Sequence, residues 1–517
     1  PLNGTPGYYG AEVFSAIGMQ PMIPIADLAT TTVAAMVPDD FRIALCDEAI
    51  GLVDLEKPAD FVAITGKSTQ VNRMIELAKA FRERGRTVLI GGPFASLSAE
   101  TLRPWADILV IGEIEDIAET LFNDLRNGTW KAEYRGNKPD LNDSPIPRWD
   151  LYPNDRAMMG CVQTSRGCPF TCEFCDVIQY LGRKQRHKSN RQVISELDYL
   201  YQHGYRTAFL ADDNFTVYRA RTRSLLQSLL DWNRSRSAGH MTFHTQLSID
   251  IAEDTDILEA CADAGIFQVF IGIETPNEAS LKETHKNQNL KVDLQTQIRV
   301  FLRHGISVIA GMIVGFDADG PDIFEQQREF AMASPVPVFT LGALSAPIAT
   351  PLYDRMREQG RLRSTEGSGA VVHPWISNII PAQMTVEELQ TGIQWLMNSL
   401  YHPKHFEHRV LTGIREFEVR HSARYLYTQN RSRNIRRSGT DMALGLTKFS
   451  RKGRDEASMV SNILKAAAKK PETRPHVMES LFRYMQIRHM CEDCGIWEPS
   501  LALQPSPFSC RVNRKAA

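Results

Sequence analysis

Between residues 157 and 365, short apolar runs alternate with segments of helical spacing, and nothing else in the sequence narrows the fold as far. The runs Cys161–Thr164, Ala208–Ala211, Thr242–Gln246, Gln268–Ile273, Val308–Val314 and Val336–Leu341 have the length and apolar character of buried strands. A helical segment separates most neighbours. In Asn190–His203, the residues Val193, Ile194, Leu197, Leu200 and Tyr201 share one stripe, which stops at Gly204. Six strand–helix units in succession predict a parallel sheet that curls into a partial (βα)6 TIM-type barrel. In such folds the chemistry sits at the carboxyl ends of the strands.

The first 136 residues show a shorter version of the same rhythm and predict a Rossmann-like α/β domain. Its expected strands are Phe41–Cys46, Phe61–Thr65, Thr87–Ile90 and Ile108–Ile111, with a helix over Thr69–Arg84 that ends at Gly85. Two strands run into glycine turns, Gly91-Gly92-Pro93 and Gly112-Glu113, of the kind that let backbone approach a ligand. Residues 137–156 are rich in proline and turn formers and read as a linker. The partial barrel then spans 157–365, and 366–517 forms a helical C-terminal region.

Composition excludes several classes. Hydrophobic residues make up 43% and charged residues 23%, so the chain is neither disordered nor fibrous. The uncharged run Phe330–Tyr353 has the length of a membrane span, but Pro335, Pro337, Pro347 and Pro351 interrupt it, and a buried strand with its loops explains it better. With no transmembrane segment and no legible signal peptide, a reducing, cytoplasmic setting is expected. The net charge of −2 conceals an asymmetry: residues 401–517 carry 22 Lys+Arg against 11 Asp+Glu, the first 400 carry 37 against 50. The basic tail holds Arg431, Arg433, Arg436, Arg437, Arg451, Lys452 and Arg454 without interleaved aromatics, so no nucleic-acid partner is expected.

Directly after the first barrel strand stands Ser165-Arg-Gly-Cys168-Pro-Phe-Thr-Cys172-Glu-Phe-Cys175. This C-x3-C-x2-C spacing puts three thiolates within reach of one iron–sulfur cluster. A cubane cluster takes four ligands, so three from the protein leave one iron open to bind something else. A zinc knuckle, with His187 as fourth ligand, or three incidental cysteines are the alternatives. A basic group follows at Arg183, Lys184, Arg186, His187 and Lys188, suited either to an anionic ligand or to solvent.

The cysteine run resembles the radical S-adenosylmethionine (SAM) superfamily. The resemblance implies a [4Fe-4S] cluster on Cys168, Cys172 and Cys175, with SAM chelating the unique iron and cleaved by one electron to a 5′-deoxyadenosyl radical. Phe174 would line the adenine site, and Asp212-Asp213-Asn214 stands where the family binds the methionine amino group. Gly272-Ile273-Glu274-Thr275 matches a ribose or carboxylate contact, and Gly311-Met-Ile-Val-Gly315-Phe316 the adenine-side glycine pattern. The segments Cys172–Asp176, Ala211–Phe215, Gly272–Pro276 and Gly315–Asp317 are similar to the branch with an N-terminal cobalamin-binding domain, which includes hopanoid methylases. That implies cobalamin cradled by Thr65, Gly66 and Ser68 after one strand and by Gly91, Gly92 and Pro93 after the next. The sequence departs from the branch in two places. Asp47 is followed by Glu-Ala-Ile-Gly without a cobalt-ligating histidine, and Pro24-Ile-Ala-Asp-Leu28 lacks the usual glycine.

The implied activity is cobalamin-dependent radical methyl transfer to an unactivated carbon of a small-molecule, lipid or natural-product substrate, fed by an external electron donor such as flavodoxin or ferredoxin. Cys491-Glu-Asp-Cys494 with Cys510 keeps a second expectation open. It could be an auxiliary metal site or a thiol trap for an acceptor such as trivalent arsenic, in a cobalamin-independent enzyme transferring the 3-amino-3-carboxypropyl group of SAM. A non-catalytic iron–sulfur or SAM-binding protein is the third alternative. Cys46, Cys161 and Cys261 are expected in the core.

Overall fold

The computed structural model describes residues 8, 12–16, 20–290, 292–363, 374–428 and 443–509. Among these, thirteen strands form a seven-stranded sheet, a four-stranded sheet and a two-stranded hairpin. The large sheet contains β1 (Ile23–Ile25), β6 (Ala157–Val162), β9 (Thr207–Leu210), β10 (Thr242–Gln246), β11 (Ile266–Glu274), β12 (Ser307–Val314) and β13 (Val338–Ala343), in that spatial order and all parallel. The six expected strands are present. The seventh, β1, is a three-residue edge strand too short to carry a periodic signal. Along the strands one parity is buried and faces the helices: Val269, Ile271 and Ile273 are all fully buried, while Phe270 and Gly272 between them are half-buried.

The small sheet runs β2 (Phe61–Thr65), β3 (Thr87–Gly91), β4 (Ile108–Ile111), β5 (Glu133–Arg135), again parallel throughout. The two parities of its strands feed two cores. Val88, Ile90, Leu109 and Ile111 pack with Val71, Met74, Ala78 and Phe81 of the helix Val71–Glu83. Leu89, Ile108 and Val110 pack with Leu121, Phe122 and Leu125 of the helix Ala118–Asn127.

Phe41–Cys46 does not form the expected strand. Phe41 instead sets its ring against Phe122 (6.0 Å) under Arg126, which pairs with Asp40 at 2.6 Å, and β5 takes a sheet edge. The same departure leaves Cys46 exposed, whereas Cys161 and Cys261 are buried as expected. Nor is the proline-rich segment 137–156 a free tether. Its short helical turns seat Trp149 at 0% exposure between Tyr152 (5.9 Å) and Tyr205 (6.5 Å), because a single large aromatic outweighs the local preference for solvent.

The C-terminal helices close the curl. The edge of β13 is covered by Tyr401 of the helix Val386–Tyr401, whose hydroxyl accepts from Phe339 N–H (3.0 Å) and donates to Phe339 C=O (2.5 Å). The helix Arg474–Asp493 is buried on most of its circumference. It packs Phe482 on Phe14 (5.2 Å) and stacks His476 on Phe267 of β11 at 3.7 Å. No helix among the described residues is long and apolar enough to cross a membrane, and Phe330–Tyr353 holds β13 and its loops between the end of the helix Ile323–Ala333 and the start of the helix Pro351–Glu358.

Candidate active site

The cysteine run forms the loop of a hairpin between β7 (Ser165–Arg166) and β8 (Arg186–His187), just beyond the carboxyl end of β6. Its base needs glycine: Gly167 has φ +97, and a Cβ there would stand 2.7 Å from Lys184 C=O. Cys168 N–H donates to Gly182 C=O (3.2 Å), and Cys175 N–H closes a turn on Cys172 C=O (3.1 Å). Cys172 is buried, Cys168 and Cys175 half-buried, and burial pushes the Cys175 thiol up to about 12. A bound cation reverses that preference by deprotonating the thiol.

No three His, Cys, Asp or Glu side chains among the described residues converge tightly enough for a single ion, the loop thiols included. Around zinc, with Zn–S about 2.3 Å, thiolates would crowd within about 4 Å of one another. An iron–sulfur cluster likewise takes thiolates of this kind, so three thiols on one loop are a donor set that either group could use with a fourth ligand.

Carboxylates hold the loop and the strand ends together. Asp212, after β9, accepts from Thr164 N–H (2.7 Å), Ser165 N–H (2.8 Å) and the Thr164 hydroxyl (2.5 Å). Both its oxygens are thereby engaged, so it braces backbone. Asp213 accepts from Gly167 N–H at 3.0 Å, and burial pushes its carboxyl up to about 6. Of the two, Asp213 keeps an oxygen available. Glu173 pairs with Arg355 through two bonds of 2.6 and 2.8 Å, and Arg355 reaches Asp317 at 2.5 Å. Phe174, between Glu173 and Cys175, lies 6.3 Å from the Phe316 ring.

Glu274 ends β11 at φ +63, one of three non-glycine residues in the left-handed region among those described; His285 is another. Such backbone persists only where the surroundings over-determine it. Here Glu274 pairs with Lys286 at 2.8 Å, and Gln288 donates to Cys172 Sγ at 3.9 Å. The segment 284–288 is also tied to the loop through Glu173 N–H and Thr284 C=O (3.2 Å). Burial alone would lower the Lys286 ammonium, but Glu274 and the Cys172 thiol hold it above the usual lysine range. Gly311 lies beside Gly272 in register, with Phe270 Cζ 2.9 Å from where its Cβ would be. At Gly315 (φ +100) the backbone N–H donates to Asp319, as does that of Phe316, while Asp319 also accepts from Ser280 (2.6 Å). Sequence reasoning missed Lys286, Asp319, Glu173 and Arg355. The first two lie in no periodic pattern, and the last two become partners only in the fold.

The small sheet presents the carboxyl ends of its strands to the same loop. Thr65 and Gly91 are register partners, and Gly92 follows at φ +95, where a Cβ would lie 2.2 Å from Thr65 Oγ1. Phe94 N–H reaches Gly66 C=O (3.3 Å), Ser68 opens a helical turn, and Pro93 starts the helix Pro93–Leu97. Lys67 faces Asp176, offsetting part of the burial that raises this carboxyl. The two layers are locked by buried ion pairs: Arg166 with Glu113 (2.5 Å) and Glu115 (2.7 Å), and Arg186 with Glu113 (2.5 Å). Where the branch carries its cobalt-binding histidine, Asp47 accepts from Tyr152 (2.8 Å) and Glu48 pairs with Arg73 (2.6 Å).

The second cysteine group is assembled only in part. Cys491 is buried in the helix Arg474–Asp493 with its thiol raised by burial, Cys494 is pushed up to about 11, and Cys510 lies outside the described residues. No third His, Asp or Glu joins the pair among those described.

Fold and loop together define a half-barrel enzyme built around three thiols, with a second α/β layer set against them. The radical SAM superfamily profile matches residues 162–331, and a domain family of unknown function (DUF4070) matches 350–494. An uncharacterised methyltransferase of Synechocystis sp. is 33% identical over 377 residues, covering 72% of this chain and 70% of that one. The hopanoid C-2 methylase of Rhodopseudomonas palustris is 32% identical over 338 residues, 64% of each chain. In architecture the chain is similar to the cobalamin-dependent SAM radical enzyme OxsB, solved with aqua-cobalamin and SAM bound, with a TM-score of 0.58 at 14% identity over 95% of this chain and 80% of that one. The chain belongs to the radical SAM superfamily. Within it, the chain is similar to proteins named as methyltransferases.

Proposed function

We propose that the protein is a cobalamin-dependent radical SAM methyltransferase acting on an unactivated carbon. The observation that carries this reading is the convergence of both sheets on one loop. The carboxyl ends of β2 and β3 and those of β6, β9, β11 and β12 face the cysteine hairpin from two sides, joined by the Glu113–Arg166 pair. When bound, the cluster and SAM supply a 5′-deoxyadenosyl radical and cobalamin supplies the methyl group. The chain's own residues bind, orient and enclose. Cys168, Cys172 and Cys175 hold the [4Fe-4S] cluster. Phe174, Asp213, Glu274, Gly311 and Gly315 line the SAM site, with Asp212 bracing the loop beneath it. Thr65, Gly66, Ser68, Gly91, Gly92 and Pro93 form the corrin cradle, for which the bare backbone of Gly91-Gly92 suits a broad, flat ligand. The glutamates of 113–115 fix the distance between cradle and cluster, and the substrate, a small molecule, lipid or natural product, enters between the barrel mouth and the small sheet.

The test is anaerobic. The cluster is reconstituted, SAM and a reductant are added with and without hydroxocobalamin, and SAM-derived products are identified by mass. Cobalamin-dependent S-adenosylhomocysteine alongside 5′-deoxyadenosine is the expected result. Cleavage indifferent to cobalamin would overturn the methyltransferase reading, and methylthioadenosine would indicate aminocarboxypropyl transfer instead.

A further inference from the structure

The basic run after the cysteines divides in the fold. Arg186 and Lys188 turn inward, to Glu113 (2.5 Å) and to Glu196 (2.5 Å). Arg183 and Lys184 are exposed, and neither forms an ion pair among the described residues. Their backbone nonetheless lies against the cysteine loop: Cys168 N–H bonds Gly182 C=O, and Arg183 Nη2 donates to Pro169 C=O at 3.3 Å. Lys138 arrives from the other side, exposed and without an ion pair among the described residues, its Nζ 2.8 Å from where a Cβ on Gly182 would stand. Arg183 and Lys138 thus border the stretch Cys168–Thr171, where the loop meets solvent, with Lys184 next in the chain: Thr171 is exposed and the three residues before it are half-buried. A groove continues from Lys184 past His187 and Arg221 to Tyr218, whose surface is 46% exposed, and no carboxylate lines it. All of this sits on the acidic part of the chain, where Asp and Glu outnumber Lys and Arg by 50 to 37.

A cationic rim around the solvent face of a redox centre selects a partner of opposite charge and speeds its encounter. We propose that Lys138, Arg183 and Lys184 form the docking surface for an acidic one-electron carrier protein of the flavodoxin or ferredoxin kind. One electron leaves the carrier, which is oxidised, and enters the cluster held by Cys168, Cys172 and Cys175, which is reduced; no bond forms and no proton moves. The inference rests on the radical SAM reading of the site and adds the face through which its electron arrives.

The test compares the full, cluster-reconstituted chain with its K138E/R183E/K184E variant, and uses flavodoxin as the probe. Calorimetry with oxidised flavodoxin reads docking without turnover, and 5′-deoxyadenosine formation is followed with reduced flavodoxin and, separately, with dithionite. Reversal of three rim charges should weaken flavodoxin binding by about tenfold or more and remove most of its salt dependence. The flavodoxin KM should rise in parallel, while the dithionite-driven rate stays within about twofold of wild type, as expected of charges that act on encounter rather than chemistry. The neutral variant K138Q/R183Q/K184Q should fall between the two. Equal flavodoxin affinity in wild type and both variants would overturn the proposal, as would parallel loss of the dithionite-driven rate. So would wild-type binding to phosphatidylglycerol vesicles that the variant loses while flavodoxin binding is unchanged. Absence of dithionite-driven SAM cleavage in the wild type would overturn the reading of the site itself, and the calorimetry would still decide the docking face.

Discussion

The large sheet and the small sheet address the cysteine loop with different chemistry. At the strand ends of the large sheet stand carboxylates engaged by protein partners: Asp212 on Thr164 and Ser165, Asp319 on Gly315, Phe316 and Ser280, Glu274 on Lys286 through one oxygen. At the ends of β2 and β3 stand glycines with few side-chain partners, and the charged groups sit one loop away at Glu113 and Glu115. Buried carboxylates that accept from protein donors make a stiff frame, because breaking any one bond strands a polar group out of water. Bare glycine backbone makes a surface instead. On the proposed reading, the first region would orient a small, polar cofactor and the second would let a large one lie flat.

Cys172→Ala strikes the stiff region hardest. It should abolish both iron uptake and 5′-deoxyadenosine formation, read by iron assay and mass spectrometry; retention of either would separate the loop from the cluster. Glu113→Ala attacks the joint between the regions. It leaves Arg166 and Arg186 buried without their shared carboxylate, a loss of about 3 kcal/mol for a broken buried pair. Hydrogen exchange should show lost protection in the cysteine hairpin while the helix Arg474–Asp493 keeps its own. Gly92→Ala tests the open region alone. The φ of +95 and the approach to Thr65 Oγ1 should together lower hydroxocobalamin affinity by about tenfold, a cost near 1.4 kcal/mol, with iron content unchanged.

Smaller effects sharpen the contrast further. Burial raises the Asp319 carboxyl to about 6, so the folded state holds its proton more tightly than the unfolded chain does. Its contribution to stability is therefore fully present below the ordinary carboxylate range and is lost as pH rises toward about 6. Thermal midpoints of wild type relative to Asp319→Asn should fall across that window and be flat above it. Cys491→Ser with Cys494→Ser should leave bound iron and zinc unaltered by elemental analysis, since two thiols at the end of one helix supply only half of a four-ligand set.

Much of this site is written locally. The spacing of Cys168, Cys172 and Cys175, the glycines at 91, 92, 311 and 315, and the carboxylates at 212, 213 and 274 are short patterns at strand ends, and short patterns survive in a linear reading. The strands were legible for the same reason, since period-2 burial acts over a few residues. Phe41–Cys46 misled because its apolar residues were drawn apart, Phe41 to Phe122 and Leu45 to the core of the large sheet, rather than into a ladder. The segment 137–156 packs more closely than its composition suggests because Trp149 and Tyr152, aromatics among prolines, reach the core.

By itself, then, the sequence determined the two α/β layers, the thiol loop and the order of the strand-end motifs, all products of interactions between near neighbours. Only the tertiary structure decided that Asp212 would engage both its oxygens with Thr164 and Ser165, that Arg183 and Lys184 would turn out while Arg186 and Lys188 turned in, and that the loop would be clamped from both sides. Those clamps join residues far apart in the chain, Arg166 to Glu113 across 53 positions and Arg355 to Glu173 across 182. A charge finds such a partner through space, where burial removes the competing water, and spacing along the chain carries no record of which partner that will be.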